Sequence, residues 1–595
     1  MSHPIETITS NDPVELNNRH NDNFIPGTLN IYSFEINQDD EELSHEKDPN
    51  FHRIKTQGNI ILIPQPSDSP NDPLNWSSYR KAICFAIVAF ITGFTAATSN
   101  DAGAVQDSFN EIYGISYDAM NTGAGVLFIG IGWGTFFLAP SASLYGRKFT
   151  YYICIFLGLL GALWFALARR TSDTIWSQLF VGISESCAEA QVQLSLSDLY
   201  FQHQLGSVLT VYILATSVGT FLGPLIAGFI VQYAGFRFVG WIAVFISAGL
   251  LIVIAFGLEE TVFDRSAFRG VIHGFAPTIA EAAVPAGTAI KTASITDGKK
   301  DIDSKELTNE EDISFEDQKK EQELALSQKV TYGANDPPKS YWRSIQLITP
   351  AKNLKGWGIK QYLLQLRLLF KVFLYPPVIY SGFVWGIQSA LLTFYLTVED
   401  DVYYDPPYNY GNVGVALMNI PTLIGSVIGC FFAGKLSDYF SIWMAKRNGG
   451  IQEAEFRLWF LFVPAFIAPV GLVLFAVGTD QDWHWPPTYV GLGFIGFGFG
   501  CSGDVAMSYL MDSYPEMVIE MMCGVSVINN MIGCIFTFAC SPWLAAMGNT
   551  HTFIILAVIQ FLIMIGAAPM IYYGKRIRLW TKDWYLEFLQ LRDGL

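Results

Sequence analysis

Four acidic side chains lie inside, or directly at the end of, long apolar stretches of this sequence. Glu185 and Glu189 are four residues apart in the stretch 174–197, so a helix there places both on one face, about 6 Å apart along its axis. Asp504 lies inside a later stretch, and Asp101 follows the first one. A charge in the centre of a bilayer costs at least about 2.5 kcal/mol unless it faces water or a partner. We therefore predict that these carboxylates bind a cationic substrate.

The counter-ions of these acids cannot come from the apolar stretches themselves, because no lysine or arginine lies inside any of them. We expect a counter-ion that binds and dissociates during transport, either the substrate or a proton. A proton is possible because burial favours the neutral form of a carboxyl group. Glu185, Glu189 and Asp504 are the candidates for carrying a coupled proton. Structural roles stay open as well: Asp101 could cap a helix in water, and the glutamates could bond to neighbouring glutamines and serines.

Aromatic side chains in the stretch 372–398 could help to hold a cation. An ammonium group over an aromatic face gains about 0.5 to 2 kcal/mol, depending on desolvation. Tyr380, Trp385 and Gln388 are the candidates here, with Tyr395 further along. Trp385 and Gln388 are three residues apart and could share a helix face. The alternative for each aromatic residue is packing against lipid or in an interfacial belt.

Twelve stretches are long and apolar enough to cross a bilayer, which takes roughly 20 residues of helix. Charged residues make up only 15% of the chain and hydrophobic residues 51%. This pattern predicts an all-α membrane protein with twelve transmembrane helices in two six-helix halves, and such repeated halves hold their substrate between them near the membrane midplane. The stretches are 82–100, 121–145, 149–168, 174–197, 206–236, 238–258, 372–398, 413–434, 458–479, 488–511, 521–548 and 552–573.

The basic residues that flank these stretches predict the orientation. Most of them fall on one side, which the positive-inside rule makes cytoplasmic, so both termini are expected inside. Arg169, Arg170 and Arg237 fall on the opposite side, but the connectors there are otherwise acidic. The basic side carries Arg80, Lys81, Arg147, Lys148, Lys435, Lys446, Arg447, Lys575, Arg576 and Arg578.

The same pattern predicts the division of the chain. We expect a cytoplasmic N-terminal tail and C-terminal tail, two six-helix halves and a charged central loop that is mostly flexible. The end of that loop, "LKGWGIKQYLLQLRLLFKVFL", is typical of a helix at an anionic membrane surface, although a plain connecting helix fits as well. The predicted segments are the tail 1–78, the first half 79–261, the loop 262–370, the second half 371–574 and the tail 575–595.

Several classes of function are disfavoured. The eight cysteines lack the spacing of a metal site or a redox pair, and no phosphate-binding loop or nucleophile with a base appears. We therefore predict no enzyme activity, no cofactor and no metal. The net charge of −17 argues against a nucleic-acid partner.

A small-residue pattern marks the fifth stretch. The segment "ATSVGTFLGPLIAGF" contains Gly219, Gly223, Pro224 and Gly228, and small residues let helices approach closely in lipid. Ordinary helix packing is one interpretation. The pattern Gly-x-x-x-Gly-Pro-x-x-x-Gly in the fifth of twelve spans also resembles the antiporter signature of the drug:proton antiporter branch of the major facilitator superfamily.

Three connectors extend this resemblance. "APSASLYGRKFTY", "GKLSDYFSIWMAKRNGGIQEAEFRL" and "YLMDSY" resemble fungal members of the branch, and the resemblance implies gating roles for Arg147, Lys148 and Asp438. The branch usually carries an acid where Ser143 stands, so we expect an ionic latch in the second half and none in the first. A helix cap is the alternative role for Asp438.

The fourth stretch also departs from the branch. The arginine and glutamine that many relatives carry there are replaced by Gln178 and Val181. Proton coupling through an arginine at this place is therefore not expected, and the acids of the same stretch are the groups that remain.

A narrower resemblance suggests the substrate. "PNDPLNWSSYRK", "FTAATSNDAGAVQDSFNEIYGISYDAMNTGAGVLF" and "GISESCAEAQVQLSLSDLYFQHQLGSVLTVYI" resemble a yeast high-affinity polyamine and low-selectivity cation transporter. The resemblance implies uptake of putrescine, spermidine and spermine, with other cations as possible substrates, across the plasma membrane. We also expect a monomer, and coupling to protons through one of the buried carboxylates. The alternatives are a proton-coupled multidrug efflux antiporter and a nutrient sensor that does not transport.

Overall fold

In the computed structural model, the described residues are almost entirely helical. Two compact units are present, and the larger consists of Ile25–Leu29, Ser77–Val262 and Ser340–Leu595. Most of the predicted N-terminal tail and of the flexible central loop lie outside the described residues. The described residues are 25–30, 56–57, 60–61, 66–67, 69–263, 337–351, 354–404, 406–448 and 451–593.

The first half contains six long helices and one short one. Ser77 begins the first helix, where its hydroxyl accepts a hydrogen bond from the amide of Arg80, and Gly114 ends the short helix with a φ of 65°. The helices are α1 Ser78–Asn100, α2 Gln106–Tyr113, α3 Tyr117–Leu144, α4 Arg147–Ala166, α5 Thr171–Leu199, α6 Gln202–Ala234 and α7 Arg237–Gly257.

The second half begins after two helices of the predicted loop, one of which covers the amphipathic sequence noted above. These two helices are α8 Tyr341–Ser344 and α9 Ile359–Val372. The remaining helices are α10 Pro376–Val402, α11 Asn412–Leu417, α12 Asn419–Phe431, α13 Ser437–Arg447, α14 Phe462–Asp480, α15 Trp485–Ser513, α16 Val518–Ile565, α17 Ala567–Trp580 and α18 Lys582–Asp593.

All twelve predicted spans are helical. Within the described part, ten helical stretches meet a length and hydropathy criterion for crossing a membrane. One of them, Val518–Trp580, contains the last two spans, which are separated at Gly548 by a φ of 74°. The fourth span, α5, is as long as the others but carries two glutamates and three glutamines. Because of these polar residues, α5 does not meet the hydropathy criterion.

Four short strands lie within the described residues. β1 Thr28–Asn30 pairs with β4 Ile451–Glu453. β2 Thr56–Gln57 and β3 Ile60–Ile61 form an antiparallel hairpin within the smaller unit.

The small-residue motif of α6 lies against two other helices. A Cβ at Gly219 would come within 2.1 Å of the carbonyl oxygen of Gly93 on α1, and one at Gly228 within 2.5 Å of Ala416 on α11. Gly223 packs in the same way against Ala97, and Pro224 follows it inside the helix. The motif therefore brings α6 close to its own half and to the second half. This is the packing role that small residues take in membranes.

Candidate functional site

A central cavity of about 150 Å³ lies between the two halves and is partly open to solvent. Helices α1 to α6 line it from the first half, and α10, α15 and α16 line it from the second. It extends from Asp400 and Asp401, at one end of the bundle, to Glu189 and Trp385 in the interior. We call the end with Asp400 and Asp401 the acidic end, and the opposite end, with Arg147 and Lys575, the basic end.

Glu185 and Glu189 both line this cavity. Gln178 and Thr174 line it from the same helix, so the predicted shared face of α5 is the face turned to the cavity. Glu185 is 9% exposed, and neither glutamate forms an ion pair with any residue that the structure describes. Their role in binding stays a prediction.

Trp385 lines the cavity and packs against Phe499, with ring centroids 4.8 Å apart. Gln388 is not among the lining residues, because its amide oxygen points toward Gly498 inside the second half. Ser389 takes the cavity position instead. A step of four residues returns closer to the same helix face than a step of three. Gln388 therefore does not line the cavity together with Trp385, and its role in binding stays a prediction.

Tyr380 lies outside the cavity. Its hydroxyl donates to the carbonyl oxygen of Met564 at 3.4 Å, and its ring lies beside Gly566 and Phe383. The cavity face of α10 begins further along, so this tyrosine packs where the seventh and twelfth spans meet. It does not join the acidic residues of the predicted site.

The two aspartates of the predicted site lie apart from the glutamates. Asp504 is buried on α15, and its carboxylate accepts hydrogen bonds from Thr210 on α6 and from Ser508, each at 3.3 Å. It therefore lies on the basic side of the cavity, where the halves meet. Asp101 follows α1, between cavity-lining neighbours, but does not itself line the cavity.

Several polar residues of the cavity were missed by the sequence prediction. Asp400 and Asp401 lie just after the predicted end of the seventh span, so they were assigned only to an acidic connector. Asn529 and Asn530 were detectable as two adjacent amides inside an apolar stretch. The Asn529 side chain accepts a hydrogen bond from Ser389 at 2.8 Å, which joins α16 to α10.

Toward the basic end, the cavity is closed by contacts between the two halves. The amide of Gln193 lies 3.3 Å from the sulfur of Met507, and Thr210 bonds to Asp504 as described. Further contacts hold the halves together beside the cavity. Ser526 donates to Thr135 at 3.1 Å, and Asn121 donates to Ser541 at 2.8 Å near the acidic end.

Ion pairs occupy the basic end of both halves. Arg147 contacts Asp198 at 3.3 Å, and Arg457 contacts Asp438 at 2.8 Å and Asp512 at 2.5 Å. The expectation that the first half has no ionic latch is therefore wrong, because Asp198 at the end of α5 supplies the acid that position 143 lacks. The ammonium group of buried Lys148 donates instead to two backbone carbonyls, those of Ala255 and Ile345.

Comparison with known proteins identifies the family. The model described as "Major Facilitator Superfamily" matches residues 83–537. The chain belongs to the Major Facilitator Superfamily. It is 57% identical to Protein HOL1 of Saccharomyces cerevisiae over 97% of this chain and 99% of that protein. It is also 45% identical to an uncharacterised MFS-type transporter of Schizosaccharomyces pombe, over 96% and 95% of the two chains.

A solved structure supports the fold. The major facilitator proton:xylose symporter XylE, bound to 6-bromo-6-deoxy-D-glucose, aligns with a TM-score of 0.54 at 13% identity, covering 83% of this chain and 97% of XylE. This chain is therefore a multi-pass membrane transporter with the major facilitator fold, and it is not an enzyme.

Proposed function

We propose that this major facilitator protein takes up polyamines across the plasma membrane, coupled to protons, with both termini in the cytoplasm. The observation that carries the proposal is the pair Glu185 and Glu189 in a cavity between the two halves. Among the residues described as lining that cavity there is no lysine or arginine. Acids without a fixed cation at the midplane suit a substrate that brings its own positive charge.

The remaining cavity surface suits the rest of a polyamine. Such a molecule has methylene chains between its ammonium groups, and apolar or aromatic surface can cover these chains. Trp385 and Phe499 supply aromatic faces, and Phe128 and Leu392 supply apolar ones. An ammonium group over the indole of Trp385 would gain a further cation–π attraction.

Alternating access follows from the contacts between the halves. With the basic end in the cytoplasm, the cavity is open to the outside, and the contacts of Gln193 and Thr210 close the inner side. Transport then requires that these inner contacts separate while the outer ends approach each other. A proton on Glu185 or Glu189 would remove one negative charge from the empty cavity and so favour the return of the empty transporter.

The test is uptake of radiolabelled spermidine by cells that lack their own polyamine uptake. We expect saturable uptake by the intact protein and a loss of about a hundredfold to ten-thousandfold in kcat/KM for Glu185→Gln combined with Glu189→Gln, because each of the two contacts to a charge is worth about 1.5 to 3 kcal/mol. The matched control is Glu111→Gln, which changes an exposed glutamate of α2. Absence of uptake by surface-localised protein would contradict the proposal.

Proton-coupled efflux of drugs is the second candidate, favoured by the antiporter-like motif of α6 and by aromatic residues in the cavity. The two candidates share a fold and differ in the direction of transport. Release of a preloaded cationic dye that rises with an inward proton gradient, in cells without spermidine uptake, would support efflux.

A further inference from the structure

One acidic residue of α10, Glu399, is buried inside the second half and does not line the central cavity. It is 1% exposed, and neither of its carboxylate oxygens has a hydrogen-bond partner among the residues that the structure describes. An isolated ionised carboxylate away from water is far more costly than a neutral carboxyl group. This residue therefore needs a positive charge that the described side chains around it do not supply, either a proton or a metal cation.

Helix α10 has two polar faces, and Glu399 lies on the one turned away from the cavity. The next residue, Asp400, lines the cavity together with Ser389. Gln388, Tyr395 and Glu399 do not, and the steps of seven and four residues between them return close to one helix face. This face is turned to the interior of the second half, where each of the three residues is at most 2% exposed.

Each of the three side chains on this face has a polar atom without a hydrogen-bond partner among the described residues. These atoms are the amide nitrogen of Gln388, the hydroxyl of Tyr395 and both carboxylate oxygens of Glu399. Because buried polar groups are nearly always hydrogen-bonded, three such groups on one helix face indicate a function. A carboxyl group accepts hydrogen bonds when ionised and donates one when protonated, and a tyrosine hydroxyl can serve either state.

The titratable groups around Glu399 are three tyrosines and one aspartate. Tyr395 and Tyr403 lie one turn before and one turn after it along the chain, and Tyr489 approaches from α15; all three interact with it electrostatically. The acidic neighbour is Asp400, which lies at the cavity surface. Glu399 is therefore separated by a single residue step from water in the cavity.

The packing around this carboxylate favours a proton over a metal cation. The rings of Tyr395 and Tyr403 both lie against the fully buried Phe475, with centroids 6.5 Å apart in each case. The hydroxyl of Tyr403 is already paired with that of Thr479 at 3.0 Å. A hard metal cation takes about six or more oxygen ligands, whereas a proton needs one oxygen and adds no volume.

We propose that Glu399 is a proton-binding site inside the second half, separate from the substrate cavity, and that it holds the proton coupled to transport. This inference rests on the proposed function, since it names the group that carries the coupled proton. The proton binds to a carboxylate oxygen of Glu399 from water at the acidic end and leaves it again before the cycle closes. Glu185 and Glu189 remain available to the substrate.

The first test is infrared spectroscopy of the purified full-length protein at neutral pH. We expect the carbonyl band of a protonated carboxyl group that is lost in Glu399→Gln. The matched control is Glu111→Gln, at an exposed position of α2, which should keep the band. The same band in both variants would overturn the proposal, and this measurement needs no substrate.

The second test separates net uptake from exchange in membrane vesicles that contain the protein. Net uptake requires the coupled proton to bind and leave in every cycle, whereas exchange of internal for external spermidine does not require it to leave. Glu399→Gln resembles a permanently protonated group, so we expect loss of spermidine-driven proton influx and retention of spermidine exchange. Retained exchange also shows that the variant is folded. Glu399→Asp keeps a carboxyl group and should recover part of the proton influx.

The other outcomes are distinguishable. Loss of exchange together with proton influx in Glu399→Gln would overturn the inference, because it would assign this residue to folding or substrate binding. Retention of both would overturn it as well, and so would a dependence of uptake on external sodium that Glu399→Gln removes. Absence of spermidine transport by the unchanged protein would overturn the proposed function, and the infrared measurement would still decide whether Glu399 holds a proton.

Discussion

The connector between the second and third spans and the connector between the eighth and ninth occupy equivalent places in the two halves, but they hold different amounts of charge. In the first half, Arg147 pairs with one carboxylate, that of Asp198. The amides of Arg147 and Lys148 donate to the carboxylate of Glu260, and the ammonium of Lys148 bonds to backbone carbonyls. Much of this corner is therefore held by backbone groups.

The corresponding corner of the second half contains two arginines with two carboxylates each. Arg457 lies between Asp438 and Asp512. Arg578, which is fully buried, contacts Glu453 at 3.0 Å and Glu455 at 2.6 Å. The Arg578 guanidinium also donates to the carbonyl of Pro26 and to the hydroxyl of Thr28.

This difference indicates that the second half is held together more firmly at the basic end than the first half. Two arginines and four carboxylates join α13, α15 and α17 to β4 and to the segment Ala454–Leu461 that precedes α14. The segment around Pro26 is attached to the same group of charges. Among the described residues at the basic end of the first half, Arg147 pairs with Asp198 and Arg80 pairs with Glu259, so each arginine there has one carboxylate partner. We expect the first half to separate more easily when the basic end opens.

The largest effect should follow from Arg578→Gln. This change leaves the buried carboxylate of Glu455 without its cation, whereas Glu453 keeps its contact with Lys575. Removal of one partner of a buried pair costs about 3 to 5 kcal/mol. Thermal unfolding of the purified protein measures the loss. Arg576→Gln, at an exposed position two residues earlier, is the control. Equal melting temperatures for both variants would contradict a structural role for these charges.

The next effect should follow from Arg457→Gln, which leaves Asp438 facing Asp512. These carboxylates are about a quarter exposed, at 27% and 26%, so water screens them and the expected cost is smaller, about 2 to 3 kcal/mol. Adding Asp512→Asn should recover part of the loss, because it removes the repulsion. Arg447→Gln, whose guanidinium lies over Trp443 at the surface, is the control.

A smaller effect on stability is expected for Arg147→Gln, about 1 to 2 kcal/mol, because a single ion pair is lost while the backbone contacts to Glu260 remain. Asp198→Asn removes the other partner of the same pair. Similar melting temperatures for the two variants, both above that of Arg457→Gln, would support the comparison. A loss equal to that of Arg457→Gln would show that the two corners are equally strong.

The smallest effect should come from Ser143→Asp, which adds an acid at the position that corresponds to Asp438. A second carboxylate near Arg147 should raise stability by about 0.5 to 1 kcal/mol, and it should slow uptake because the basic end must break one more contact to open. Ser143→Asn, which has a similar shape without charge, is the control. Faster uptake by the aspartate variant would contradict a latch at this corner.

The spans could be predicted because each is a local property. About 20 consecutive apolar residues must form a helix in lipid, wherever the rest of the chain lies. The shared face of Glu185 and Glu189 followed in the same way from helical periodicity. The kink at Gly548 was predictable as the gap between two apolar stretches, 521–548 and 552–573.

The latch of the first half shows why other features could not be predicted. The absence of an acid at position 143 is visible in the sequence, but Asp198, which replaces it, is more than fifty residues away on another helix. The same limit applies to Gln388 and Tyr380. In a membrane helix all faces can be apolar, so periodicity does not reveal which face of α10 is turned to the cavity.

The sequence by itself determined that this chain crosses a membrane as two sets of six helices and that it carries unneutralised acids within them. Chain composition decides these points, because lipid excludes unpaired charge and unsatisfied backbone. Only the tertiary structure decided that Asp400 and Asp401 join Glu185 and Glu189 in one cavity while Asp504 and Asp101 do not line it. The reason is that a cavity is formed where separate helices meet, and the rotation of each helix is set by its packing against the others.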